Sequence, residues 1–174
     1  LFPLEVHYDE SKCYFQGVFY TLRKYTNQNP ALNGILKIYA ISEDFVPVSN
    51  TIDSSLYGID YMSVPIPGSW IMVDFLDRKM RVENYSIESA RLNKNNDHMK
   101  SWKLEGSNDG KFWIVIDVQK NVEELNGPMC NQVFGIKENA REFFKYVRIL
   151  QHKQNHRGNW NLCLSHFDLF GTVK

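Results

Sequence analysis

The chain has 174 residues, with 20 Lys plus Arg and 20 Asp plus Glu, so its formal net charge is zero. That balance argues against a protein that wraps phosphate backbones, which carries a basic excess. Hydrophobic residues make up 43% and charged residues 23%, an ordinary globular composition with material for one full core, and no apolar run reaches the length of a membrane span.

Aromatic content is 14%, and large flat side chains suit the interior of a sandwich or barrel. The three cysteines, Cys13, Cys130 and Cys163, form no CxxC pair, which removes the zinc-finger reading. A Cys13–Cys163 bridge in an oxidising compartment and three buried thiols in a reducing one are both open. No signal peptide is visible, and a start at Leu1 reads as an excised piece.

In chain order, short β-type runs recur between turn signals. The pattern predicts strands over Val18–Tyr20, Ile35–Ile41, Trp70–Phe75, Tyr85–Ser89, Ser101–Ser107, Trp113–Val118, Tyr146–Gln151 and Leu164–Thr172. Ile71, Val73 and Phe75 alternate with polar-facing neighbours. So do Trp102 and Leu104 against Lys103 and Glu105, Val147 and Ile149 against Arg148, and Phe167 and Leu169 against His166 and Asp168. Such period-two alternation describes half-buried antiparallel strands. Asn108-Asp109-Gly110 supplies hairpin chemistry between the fifth and sixth runs. Val122–Leu125 and Glu138–Phe144 could each make a turn or two of helix. The expectation is an all-β sandwich or flattened barrel of about eight strands, with residues 1–174 as one domain.

Three polar loops are long. Residues 43–67 carry Tyr57 and Tyr61, residues 91–100 carry Arg91, Asn93, Asn96, Asp97 and His98, and residues 152–161 carry His152, His156, Arg157 and Trp160. Binding usually sits on such loops over a rigid β scaffold. There is no G-x-S-x-G elbow, H-E-x-x-H pair or P-loop, so nothing points to an enzyme. His152 and His156 are four apart, but their Gln-Asn-His-Arg-Gly-Asn surroundings are turn chemistry rather than one helix face, and the loop carboxylates follow no calcium-loop spacing. The expectation is therefore no metal and no cofactor.

The runs Trp70-Ile71-Met72-Val73-Asp74-Phe75 and Trp102-Lys103-Leu104-Glu105-Gly106-Ser107-Asn108-Asp109-Gly110 are followed by Tyr146-Val147-Arg148-Ile149. The closing Phe167-Asp168-Leu169-Phe170-Gly171 ends the series. In this order they resemble the discoidin domain, also called the coagulation factor V/VIII type C domain. The resemblance covers nearly the whole chain. It implies a galactose-binding-like β-sandwich (jelly roll) that meets its ligands with loops at one end. Secreted members pair a cysteine near each end of the chain, whereas Cys163 here lies within the run into the last strand. Membrane-binding members carry greasy loop tips, whereas these loops are mostly Asn, His, Asp and Lys, which argues against lipid insertion.

Those features lead to a non-catalytic binding module. The expected location is cytoplasmic, with a protein or peptide partner and a monomeric or weakly dimeric state. The alternative is a carbohydrate-binding module of a secreted or cell-surface protein. The residues expected to meet the ligand are Tyr57, Tyr61, Arg91, Asn93, His152, His156, Arg157 and Trp160. Aromatic faces pack on sugar rings, while Arg, His and Asn bond hydroxyls or a carboxylate.

Overall fold

The structure, a computed structural model, describes residues 1–42, 46–56, 59–91 and 97–174. Two five-stranded sheets face each other. One runs in the order β1 (Leu4–Val6), β12 (His166–Val173), β5 (Met80–Glu88), β8 (Asn131–Gly135), with β9 (Phe143–Phe144) beside the start of β5. The other runs β2 (Lys37–Ala40), β4 (Trp70–Asp74), β10 (Tyr146–Gln151), β6 (Trp102–Ser107), β7 (Ile114–Gln119). A two-stranded ribbon pairs β3 (Tyr61–Met62) with β11 (Cys163–Leu164). Neighbouring strands are antiparallel throughout, so the fold is all-β as expected.

The alternating residues supply the core. Ile71, Val73, Trp102, Leu104, Val147 and Ile149 are all buried on one sheet, and Met80, Val82, Tyr85 and Ile87 on the other. Phe134 stacks on Tyr85 at 5.1 Å and takes the edge of Trp102 at 5.2 Å. Trp102 Nε1 donates to the Tyr85 hydroxyl at 3.0 Å, which donates in turn to Asp117 at 2.7 Å, so the two polar atoms among these rings are satisfied. A buried aromatic of this size removes on the order of 200 Å² from water, about 5 kcal/mol before the entropy of ordering.

Four expectations need correction. Val18–Tyr20 is not a strand but the start of the helix α1 (Val18–Thr26), whose Val18, Phe19 and Leu22 are buried. Its N-cap, Gly17, has no side chain to offer, and Asp168 of β12 supplies the cap instead. A Cβ at position 17 would fall 2.5 Å from the Leu169 carbonyl oxygen, so only glycine lets the chain approach β12 this closely. Second, β12 is buried along its full length, His166 and Asp168 included, because α1 and the N-terminal segment cover the outer face of its sheet. Third, the hairpin expected at Asn108-Asp109-Gly110 forms between β6 and β7, but with a positive φ at Gly110 and not at Asp109. Gly106 pairs with Ile114, and residues 107–113 form a longer loop in which Asp109 accepts from the Lys111 and Phe112 amides. Fourth, Val122–Leu125 is irregular and ends in a turn rather than forming helix, while Glu138–Phe144 divides into a 3-10 turn at Glu138–Ala140 and β9.

All three cysteines are free: Cys13 is exposed, Cys130 half-buried and Cys163 buried. The Cys13–Cys163 bridge is not formed, and the reading of three buried thiols fails at Cys13. No helix among the described residues is long and apolar enough to cross a membrane.

Candidate binding site

Strand directions put four long connections at one end of the sandwich. Trp70, Trp102, Gln119 and Gln151 lie together at that end of one sheet, and Glu88, Asn131 and His166 at the same end of the other. The described parts of the connections 41–69 and 89–101, together with 120–130 and 152–162, therefore share it. The N-terminal β1 pairs with the last residues of β12, at the opposite end.

The loop 152–162 is held by a polar hub. Asp97 Oδ1 accepts from Asn155 Nδ2 at 3.2 Å and from Asn159 Nδ2 at 2.6 Å. Asn155 Oδ1 accepts the Arg157 and Asn159 amides, and its Nδ2 also donates to the Asn161 carbonyl. These asparagines read in the sequence as loop polarity available to a ligand, but their amides are spent on folding the loop. The Arg157 guanidinium stands at the rim, about half exposed and 3.6 Å from Asp97.

His156 is a correction. Its ring is almost fully enclosed and donates from Nε2 to the Val122 carbonyl at 2.8 Å, while its amide donates to the His98 carbonyl at 3.0 Å. It ties three loops together, and its ring is taken up by that role. His98 is buried beside it, and burial holds its pKa below the usual histidine value. Tyr61 is a second correction: it is fully buried, and its hydroxyl donates to the Ser42 carbonyl at 2.6 Å. Arg91 is exposed, with its amide on Asp60 Oδ1. His152 is half-buried, and its Nδ1 is enclosed with no hydrogen-bond partner among the described residues. Burial, then the ammonium groups of Lys103, Lys153 and Lys120, lowers its pKa. Trp160 is half-buried in the same loop. Tyr57 and Asn93 lie outside the described residues.

Two depressions among the described residues lie at this end. The first is an open cleft of about 350 Å³ walled by Lys100, Ser101, Asn121 and the segment Lys153–Gly158. Of the expected residues it uses Arg157, and His156 as part of its floor. It adds Lys100, Asn121, Lys153 and Gln154, which no motif in the sequence marked, because residues from three separate loops converge only in the folded chain. The second is a cavity of about 310 Å³ between the N-terminal segment and the ends of β5, β8 and β12, with Tyr14, Phe15, Tyr20, Glu88, Asn131 and His166 in its wall. Among the described residues no group of three or more His, Cys, Asp or Glu is placed to hold a metal ion.

No family model matches the chain, and no curated protein matches it. Solved structures do. A family 32 carbohydrate-binding module from a family 31 glycoside hydrolase of Clostridium perfringens superimposes with a TM-score of 0.62 at 17% identity, covering 79% of this chain and 92% of that one. A second family 32 module from Clostridium perfringens, in complex with GalNAc-β-1,3-galactose, gives 0.62 at 12% identity, covering 79% and 96%. The family 32 module of AlyQ, in complex with 4,5-unsaturated mannuronic acid, gives 0.59 at 14% identity, covering 76% and 92%. These likenesses establish the galactose-binding-like sandwich that the discoidin domain shares. The structures this chain resembles are carbohydrate-binding modules, two of them holding a saccharide, and the likeness is one of fold. They also overturn the cytoplasmic expectation: the neighbours are glycan-binding modules of proteins that work outside the cell.

Proposed function

We propose that residues 1–174 form one carbohydrate-binding module whose ligand carries an acidic group and lies in the cleft along the 152–162 loop. The observation that carries this reading is the convergence of Lys100, Lys153 and Arg157 on one cleft at the loop end of a chain with zero net charge. Ammonium and guanidinium groups bind a carboxylate strongly, and the amides of Asn121 and Gln154 match sugar hydroxyls. The saccharides held by the similar modules, an unsaturated mannuronic acid among them, support the same reading. The Asp97–Asn155–Asn159 hub fixes the loop beforehand, which lowers the ordering cost of binding.

A glycan array followed by calorimetry on the best hits tests it. Uronate-bearing oligosaccharides should bind, with affinity that falls as salt is raised, and Arg157→Ala or Lys153→Ala should weaken them by about tenfold. Equal binding of neutral glycans by both variants and the parent would remove the acidic-ligand reading. The absence of any glycan ligand would remove the module reading itself.

A further inference from the structure

The second cavity has a different chemistry from the cleft. Asn131 Oδ1 and His166 Nε2 are buried in its neighbourhood with no hydrogen-bond partner among the described residues, and His166 as a whole is only 6% exposed. Burying a polar atom without a partner costs free energy, so two such atoms at one cavity point to a missing occupant. Burial and nearby Asp60 push the Glu88 carboxyl above the ordinary glutamate range. Burial also holds the His166 imidazole neutral, with its pKa down to about 4, so it brings no compensating charge. Among the described residues of the cavity wall none is Lys or Arg. A half-buried carboxylate thus faces the cavity with no cation in the wall to balance it.

The rest of the wall is aromatic. Phe15 meets the His166 ring edge-on at 4.8 Å, and Tyr14 and Tyr20 stand beside it. Lys24 already places its ammonium 5.9 Å over the Tyr20 ring, the type of contact that a cationic guest would make with these faces. The volume, about 310 Å³, is at the small end of ligand pockets.

We propose that this cavity binds a small organic ammonium ion, with the cation against the Tyr14, Phe15 and Tyr20 rings, its charge balanced by Glu88, and its N–H or neighbouring O–H groups donating to Asn131 and His166. The site is separate from the basic cleft and does not depend on the acidic-glycan reading, since the two depressions carry opposite charge. The shared chemistry could come from a quaternary ammonium or from the primary ammonium of an amino sugar.

Calorimetry and amide NMR on the whole chain, with choline, galactosamine and galactose as probes, test it. At least one of the two ammonium probes should bind and shift the amides of Cys13–Gln16 and Asn131, and galactose should not. Tighter choline identifies a quaternary guest, and tighter galactosamine an amino sugar. Glu88→Gln, which keeps the shape of the side chain, should weaken binding by about tenfold or more. Tyr14→Ala, at a partly exposed ring, should weaken it without affecting folding and carries the test if Glu88→Gln does not fold. Arg157→Ala should change nothing here. Galactose binding as well as galactosamine, unchanged affinity in the folded variants, or no binding by either ammonium would overturn the proposal.

Discussion

The Asp168 carboxylate accepts the Phe19 amide at 2.9 Å and so caps a helix that begins 150 positions earlier in the chain. Its two oxygens also take the amides of Gly17, Tyr20 and Leu169. Three of these donors are the N-terminal amides that a helix leaves unpaired, and here Gly17 has no side chain to satisfy them. The group is fully buried, and burial pushes it up to about 7 against the four donors that favour its charged form.

Asp168→Asn replaces an oxygen acceptor with an amide donor aimed at backbone N–H groups. At least two buried donors lose their partner, at about 1–3 kcal/mol each. The expected loss is about 3 kcal/mol or more, read as a lower denaturation midpoint with unchanged slope. A shift within error would mean that α1 is capped in some other way.

His166 should make the fold sensitive to acid. Its folded pKa, about 4, lies below the ordinary histidine value near 6.5 because the ring is buried. A group with a lowered folded pKa gives stability that is complete above the unfolded value and is lost as pH falls toward the folded one. The window is therefore pH 6.5 to 4, and the loss is on the order of 3 kcal/mol. Asp168 acts in the opposite sense, because its raised pKa makes stability fall as pH rises through about 7. The difference in unfolding free energy between the parent and His166→Gln, followed from pH 7 to pH 4, cancels the Asp168 contribution. That difference should shrink by about the stated amount, and a constant difference would contradict the assignment.

Arg148 and Glu105 face each other on adjacent strands. Nε donates to Glu105 Oε2 at 2.8 Å, a second nitrogen approaches at 2.7 Å, and the guanidinium lies 3.8 Å over the Trp113 ring. Glu105 is 7% exposed, so Arg148→Ala leaves a carboxylate in a buried setting and should cost about 3 kcal/mol. Arg148→Lys keeps the charge but loses the planar stacking and the fork, so it should recover only part of that. Thermal melts of the two variants decide it, and full recovery by lysine would show that stacking on Trp113 contributes nothing.

Asp97→Ala removes the acceptor at the centre of the 152–162 loop while leaving the sheets untouched. Faster hydrogen exchange should be confined to residues 152–162 and the cleft ligand should bind less tightly, whereas the melting temperature moves by a few degrees at most. Uniformly faster exchange across β4, β6 and β10 would show that the hub supports the whole fold.

The strands with clean alternation were legible because one face of each meets the core and the other meets water: Trp70–Asp74, Trp102–Ser107 and Tyr146–Gln151 fall within a residue of their expected bounds. Val18-Phe19-Tyr20 misled because β-branched and aromatic residues read as strand. What makes them helical is a carboxylate from the far end of the chain, and propensity yields to such tertiary contacts. The four-residue spacing of His152 and His156 reads as turn chemistry rather than a paired site, and the two rings stand apart in role: one is half-buried, with nearby ammonium groups lowering its pKa, and the other is enclosed among loops. In the cleft, Arg157 was marked from the sequence, whereas Lys100 and Lys153 come together only through the antiparallel pairing of β10 with β6.

By itself the sequence determined the all-β class, the strand periods and the three polar loops, because these depend on residues near one another in the chain. Tertiary structure decided that Asp168 caps α1, that His156 and Tyr61 are enclosed, and that one depression collects positive charge while the other holds a carboxylate among aromatic rings. Those outcomes depend on which distant side chains fill the same space, and a linear pattern carries that information only weakly.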